Sequence, residues 1–188
     1  GVAEENLRFK PEDIERITNP GPDEEIYGST DWFDLLFRDA APTYTNTISV
    51  QGGNDRVKFF TSLGSYNQEG AVKRTSYDKY YFRSNLDAKI TDNFDYSMNL
   101  YGSVDNQKSP GASVSPNAYA GVFVQAMLSY PFLKPYTKDG MPIASMNTDG
   151  QGNNNPLAAR DLSGRQTSKT TKFQGDISLR YKLPLKGL

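Results

Sequence analysis

Residues 49–105 decide the fold and read SVQGGNDRVKFFTSLGSYNQEGAVKRTSYDKYYFRSNLDAKITDNFDYSMNLYGSVD. From Tyr80 to Ile90, and again from Phe94 to Val104, every second residue is mostly apolar and the residues between are mostly polar. Because successive side chains of a strand point to opposite faces, each run predicts a strand with one apolar and one polar face.

The alternation lasts for about ten residues in each run, whereas strands of soluble proteins average about 5–6 residues. A tilted strand needs about 9–11 residues to cross a membrane. The pattern of these strands alone leaves two alternatives open, a membrane-spanning sheet and an antiparallel sheet of a soluble protein with its apolar face inside.

Five strands are predicted in all. They cover residues 44–51, a run ending near Tyr66, 77–91, a run from Phe94 to Asp105, and 169–183. A two-residue turn at Gly53-Asn54 would pair Val50 with Val57. A three-residue loop after Thr91 would pair Leu86 with Leu100.

Helix signals lie in the remaining segments. Lys10-Pro11 opens a short helix, and a second is predicted from Asp31 to Arg38 with Ser29 or Thr30 as its cap. A third is predicted from Ser115 to Leu128. Trp32, the single Trp of the chain, is expected to be a packing anchor beneath a loop.

The connections between the strands alternate in length: short, medium, short, very long and short. Outer-membrane barrels have short turns on the periplasmic side and long loops outside. We therefore expect an all-β fold, an antiparallel meander forming part of a large transmembrane β-barrel with short helices in its outer loops. The expected divisions are an outer loop at 1–43, four strands at 44–105, a long extracellular loop at 106–168, and a strand with a periplasmic turn at 169–188.

Composition excludes several classes of function. Twenty-one basic and 22 acidic residues leave a net charge of −1, without the basic clusters that bind nucleic acid. The chain has neither Cys nor His, which removes thiolate chemistry and the commonest general base and metal ligand. We expect no enzyme, no catalytic residue, no cofactor and no metal. The chain has no initiator Met and no signal peptide, so we expect a piece of a longer protein.

Several motifs, taken in order, resemble the SusC/RagA-type TonB-linked outer-membrane transporters. They are TDWFD at 30–34, SVQGGN at 49–54, FFTSLGSYNQEG at 59–70, YFRSNLD at 81–87, NPLA at 155–158 and YKLPLKGL at 181–188. The resemblance covers residues 30–188 at similar spacing, and it is the ordered set that is specific.

This resemblance implies a large plugged barrel in the outer membrane of a Gram-negative bacterium, in contact with membrane lipid. It implies import of oligosaccharides or peptides together with a SusD-like surface lipoprotein. It also implies energy from TonB, received through parts of the protein outside this chain. The alternative that stays open is a soluble β-sheet module that binds glycans.

Two groups of candidate site residues follow. The candidates for the lumen wall are Arg83, Asn85, Asp87, Asn99, Tyr101, Asp176 and Arg180. The candidates for contact with a ligand or with the lipoprotein lid are Tyr119, Phe123, Tyr130, Phe132 and Tyr136. The alternative for the first group is hydration of the lumen or pairing with a plug, and for the second it is packing of the loop on itself.

Overall fold

The computed structural model describes residues 9–111, 121–143 and 155–184. The chain divides into two compact units. Among the described residues, the strand unit comprises 41–70, 76–108 and 167–184, and the loop unit comprises 9–40, 71–75, 109–111, 121–143 and 155–166.

The strand unit is a five-stranded antiparallel sheet with neighbours in chain order, so the predicted all-β meander is confirmed. Its strands are β1 (Thr43–Gly53), β2 (Val57–Glu69), β3 (Ser76–Thr91), β4 (Phe94–Pro110) and β5 (Arg165–Tyr181). They are 11 to 17 residues long, which meets or exceeds the length needed to cross a membrane.

The predicted pairing of β1 with β2 is wrong by four residues. Val50 pairs with Thr61 instead of Val57. The reason lies at the turn, where the Asn54 side chain accepts hydrogen bonds from the backbone N–H groups of Arg56 and Val57. The turn is therefore wider than the two residues expected, and Gly53 pairs with Lys58.

The predicted pairing of β3 with β4 is wrong by two residues. Leu86 pairs with Met98 instead of Leu100, and an irregularity between Lys89 and Thr91 takes up the difference. Only Asp92 and Asn93 connect the two strands, because Phe94 already pairs with Thr91. Both errors are even numbers of residues, so the side chains at the regularly paired positions keep their predicted faces.

One face of the sheet is apolar and open to its surroundings. Ile48 is 68% exposed, Leu63 57% and Phe173 70%. The glycines of this face are covered by neighbouring side chains, since a Cβ added to Gly102 would overlap the ring of Phe82. The sheet therefore presents a broad apolar surface on one side, with the alternating polar side chains on the other.

The loop unit contains four short helices among the residues that the structure describes. They are α1 (Pro11–Thr18), α2 (Trp32–Leu36), α3 (Val122–Leu128) and α4 (Pro156–Leu162). They enclose a small core, which consists of Tyr27, Trp32, Leu36, Val122, Ala126, Leu133 and Leu157. No helix in the described ranges has both the length and the apolar character that a membrane span requires.

The sequence predicts these helices in part. Trp32 is the expected anchor, buried and with its indole N–H donating to the Tyr130 carbonyl oxygen at 2.9 Å. The cap of α2 is Asp31, whose carboxylate accepts from two backbone N–H groups, and Thr30 instead donates its hydroxyl to the Leu133 carbonyl oxygen. The predicted third helix ends at Leu128 as α3, and its predicted start lies outside the described residues.

Candidate functional site

The seven candidates for the lumen wall all lie in the strand unit and line two open concavities. The first concavity has a volume of about 520 Å³ and is lined by five of them, Arg83, Asn85, Asn99, Tyr101 and Asp176. Its lining comes from all five strands and mostly from β2, β3 and β4, where Asn85 pairs directly with Asn99 and Arg83 with Tyr101. The structure therefore brings most of these residues together on one polar surface.

The remaining two candidates, Asp87 and Arg180, lie in a second concavity of about 320 Å³. It is close to the short turns and is richer in charge. Its other charged residues are Asp55, Arg56, Lys58, Lys89 and Asp95. The polar face thus has a mostly neutral middle region and a charged region near the short connections.

Tyr81 also lines the first concavity, although it is not among the candidates predicted from the sequence. Its cross-strand partner is Gly64, and a Cβ added there would overlap the Tyr81 ring. The phenol oxygen lies 3.0 Å from the Thr47 hydroxyl on β1. The ring therefore lies across β2 and is held at its far end. Alternation already puts Tyr81 on the polar face, but its contact with Gly64 depends on the register.

Three of the loop candidates pack within the loop unit. Tyr130 and Phe132 stack on each other at 5.0 Å between ring centroids, and both meet the edge of Phe9. Tyr136 is half-buried against the same core. This arrangement is the packing of the loop on itself that the sequence left as an alternative. Tyr119 lies outside the described residues.

Phe123 is different, because half of its side chain is exposed. It meets Phe33 at 6.1 Å and Phe37 at 5.9 Å between ring centroids, and these two rings stack on each other. Met127, one helical turn after Phe123, is 61% exposed. We call Phe33, Phe37, Phe123 and Met127 the α3 patch. It is an apolar surface on a unit that has already formed a core of its own.

Charged groups hold the loop unit together in two places. The Arg16 guanidinium makes two hydrogen bonds to the Glu24 carboxylate, which also accepts from the N–H groups of Ile26 and Tyr27. These bonds lower the pKa of Glu24 from its ordinary value of 4.5 to about 2. Arg160 makes two hydrogen bonds to Asp161 and likewise lowers the pKa of that carboxyl.

Neither of these two ion pairs is arranged for a chemical reaction. Each carboxylate is already engaged by an arginine, which is typical of a structural ion pair. Within the described part of the chain, no three acidic side chains lie close enough together to hold a metal ion.

Comparison with known proteins gives consistent relatives. TonB-dependent receptor P26 of Formosa agariphila is 32% identical over 160 residues, 85% of this chain and 15% of that protein. TonB-dependent receptor SusC of Bacteroides thetaiotaomicron is 23% identical over 173 residues, 82% of this chain and 16% of that protein. No family model matches the chain.

Solved structures agree with these sequences at the level of fold. The RagAB peptide importer in its closed-closed state has a TM-score of 0.64 at 21% identity, covering 87% of this chain and 18% of that one. A second structure, of the RagAB peptide transporter, has a TM-score of 0.58 at 22% identity. The chain spans about 15% of the length of the curated relatives it matches. The resemblance to SusC/RagA-type transporters that the motifs predict is thus confirmed over the matched segment of those proteins.

Proposed function

We propose that this chain, which matches a segment of the SusC/RagA-type TonB-dependent transporters in sequence and in fold, forms part of the barrel wall of such a transporter in the outer membrane of a Gram-negative bacterium. One observation supports this most directly. The apolar face of the sheet is exposed along strands of 11 to 17 residues, while the opposite face is polar. Lipid on one side and a wet lumen on the other satisfy both faces.

A soluble glycan-binding module fits this face less well. In water, exposed Ile48, Leu63, Phe173 and Ile177 would form part of a contiguous apolar surface, and monomeric soluble proteins rarely expose large surfaces of this kind. A soluble sandwich also has no reason to place its short turns on one side of the sheet and its longer connections on the other, as this chain does.

The proposed role of the chain is passive with respect to chemistry. An oligosaccharide or peptide would pass along the polar face, and no covalent step is needed, so we propose that the chain is not an enzyme. TonB would supply energy through parts of the transporter that this chain does not contain. The two concavities are the surfaces that such a ligand, or a plug, would meet.

The α3 patch is our candidate for contact with a SusD-like surface lipoprotein. Its members Phe33, Phe123 and Met127 are 44%, 51% and 61% exposed, although the core of the loop unit lies next to them. Aromatic and Met side chains are enriched in protein interfaces, where exclusion of water provides the gain in free energy. Tyr130, Phe132 and Tyr136 would support the patch from within the unit and would not touch the lipoprotein.

The orientation of the sheet can be tested with pairs of lysine substitutions in the full-length transporter. Ile48→Lys and Leu63→Lys place a charge on the apolar face, at a cost of about 2–4 kcal/mol near the middle of the membrane. The changes Thr47→Lys and Ser49→Lys place the same charge on the polar face, at the exposed residues on either side of Ile48. We expect the first pair to reduce the amount of folded protein in outer-membrane fractions, and the second pair to insert normally. Equal insertion of all four would contradict the proposed facing.

The lipoprotein contact can be tested separately. Phe123→Asp should reduce the amount of lipoprotein recovered with an affinity-tagged transporter and leave barrel insertion unchanged. Lys138→Asp, at an exposed position of the same unit, is the matched control. Recovery of as much lipoprotein with Phe123→Asp as with Lys138→Asp would remove the α3 patch from the interface.

A further inference from the structure

We propose that the first concavity of the polar face is a binding site for a short neutral oligosaccharide and that the ring of Tyr81 is the platform for one of its sugar units. The inference rests on the proposed function, because it takes the polar face to be the lumen wall along which a ligand passes.

The Tyr81 ring is held in place by its neighbours. Gly64 opposite it has no side chain, and the ring occupies the space that a Cβ there would need. The phenol oxygen is held by the Thr47 hydroxyl at 3.0 Å, two strands away from the Tyr81 backbone. A ring already held in one orientation loses little conformational entropy when a ligand stacks on it.

Hydrogen-bonding side chains line the rest of the concavity, beginning about 13 Å further along β3 from Tyr81. Asn85 and Asn99 form a cross-strand pair, and Gln174 lies on the same concave surface. A side-chain amide both donates and accepts, as a sugar hydroxyl does, so one amide can satisfy neighbouring hydroxyls. The Arg83 Nε–H lies 3.4 Å from the Asn85 amide oxygen and helps to orient that side chain.

The charge of the site favours a neutral ligand. Arg83 and Asp176 are the charged residues among those lining the first concavity, and they are of opposite sign. The strongly charged groups lie instead in the second concavity, near the short turns. The first concavity has a volume of about 520 Å³, which is within the range of pockets that hold small organic ligands.

A peptide cannot bind at this position by adding a strand to the sheet. Proteins commonly bind extended peptides by adding them as a strand to a free sheet edge. β2, β3 and β4, which contribute most of the site, each have a strand on both sides, so their backbone groups are already paired. Recognition here must come from side chains, and these are an aromatic ring, amides and hydroxyls.

The test uses the full-length transporter, purified in detergent, with binding measured by calorimetry. The probes are short neutral oligosaccharides of the α-glucan, β-glucan, mannan and xylan types, each used separately, and a mixed peptide digest. For a glycan that binds the wild type, Tyr81→Ala should weaken binding roughly tenfold or more, since a tenfold change corresponds to about 1.4 kcal/mol. Tyr81→Phe keeps the ring and should weaken binding by only about threefold.

The control is Tyr80→Ala, which removes the same side chain from the adjacent residue on the opposite face and should bind like the wild type. Asn99→Ala, which leaves the platform intact, should weaken binding in the same direction as Tyr81→Ala. The proposal is overturned if no glycan binds the wild type, or if Tyr81→Ala binds as tightly as Tyr80→Ala. Outer-membrane insertion with binding of peptides alone would refute the sugar site and leave the transporter function standing.

Discussion

The Arg160 guanidinium donates from Nη1 to the carbonyl oxygen of Leu35 at 2.8 Å, across 125 residues of sequence. The same group holds Asp161 through Nε and Nη2, at 2.9 and 2.7 Å. Asp161 in turn lies 3.3 Å from Nη1 of Arg74, in the connection between β2 and β3. One buried cation therefore links three segments of the loop unit that are far apart in sequence.

Arg160→Ala should loosen the loop unit without affecting the barrel. It leaves the Leu35 carbonyl and the Asp161 carboxylate without this partner, and loss of hydrogen bonds to a charged group costs about 1–3 kcal/mol. Arg160→Lys should restore little, because an ammonium group does not make the paired contacts of a guanidinium. Hydrogen exchange of α2 and α4 in the full-length protein would measure the change. Lys138→Ala, whose ion pairs are exposed, should have no effect on that exchange.

The ion pair of Glu24 predicts an acid-sensitive segment. Hydrogen bonds from Arg16, and then from backbone N–H groups, lower the pKa of Glu24 to about 2. Its contribution to stability is therefore complete above the ordinary value of 4.5 and is lost as the pH falls toward 2. Exchange protection of residues 11–27, corrected for the intrinsic rate, should be flat from neutral pH to about 5 and fall below that. Glu24→Gln should lower protection at neutral pH and remove the acid-dependent step, whereas Glu25→Gln should keep it.

The ring of Phe82 makes Gly102 intolerant of a side chain. A Cβ at Gly102 would overlap that ring, so Gly102→Ala should destabilise the strand unit by about 1–3 kcal/mol. The temperature at which the barrel unfolds on gels would report this. Gly21→Ala, where nothing lies within 4 Å, is the neutral control. If the penalty persists in a Phe82→Ala background, the ring is not its cause.

The register of β1 and β2 can be measured by cross-linking, since the chain contains no Cys. Ser49 pairs directly with Ser62, and opposed residues of this kind lie within the reach of a disulfide. A Ser49→Cys, Ser62→Cys protein should therefore oxidise readily. The register predicted from the sequence would instead join Ser49→Cys to Lys58→Cys, four residues away. Preferential oxidation of that second pair would show that the observed register is wrong.

The strands and their faces were predictable because the hydrophobic alternation is strong. Tyr80 to Ile90 and Phe94 to Val104 alternate over distances that leave one arrangement of faces. The register was not predictable, because the pattern has a period of two and every even shift gives the same faces. What fixes the register is local. It is the Asn54 side chain at one turn and the irregularity after Lys89 at the other.

The site was predictable to the extent that it depends on alternation. Arg83, Asn85, Asn99, Tyr101 and Asp176 do meet on one polar surface. The contact of Tyr81 with Gly64 and Thr47 was not predictable, because it requires the correct register across three strands. Helix α4 was missed although Asn155-Pro156 carries its signal, an Asn cap whose oxygen accepts from the Leu157 N–H and a Pro in the first turn.

The loop unit is assembled from segments that are far apart in sequence, namely residues 9–40, 71–75, 109–111, 121–143 and 155–166. Its core joins Trp32 and Leu36 to Leu157, so it cannot close until four strands and most of the long connection have been delivered. Contacts of such high sequence separation form slowly. The apolar side chains of Trp32 and Leu36 must therefore stay uncovered during synthesis until Leu157 has been added to the chain.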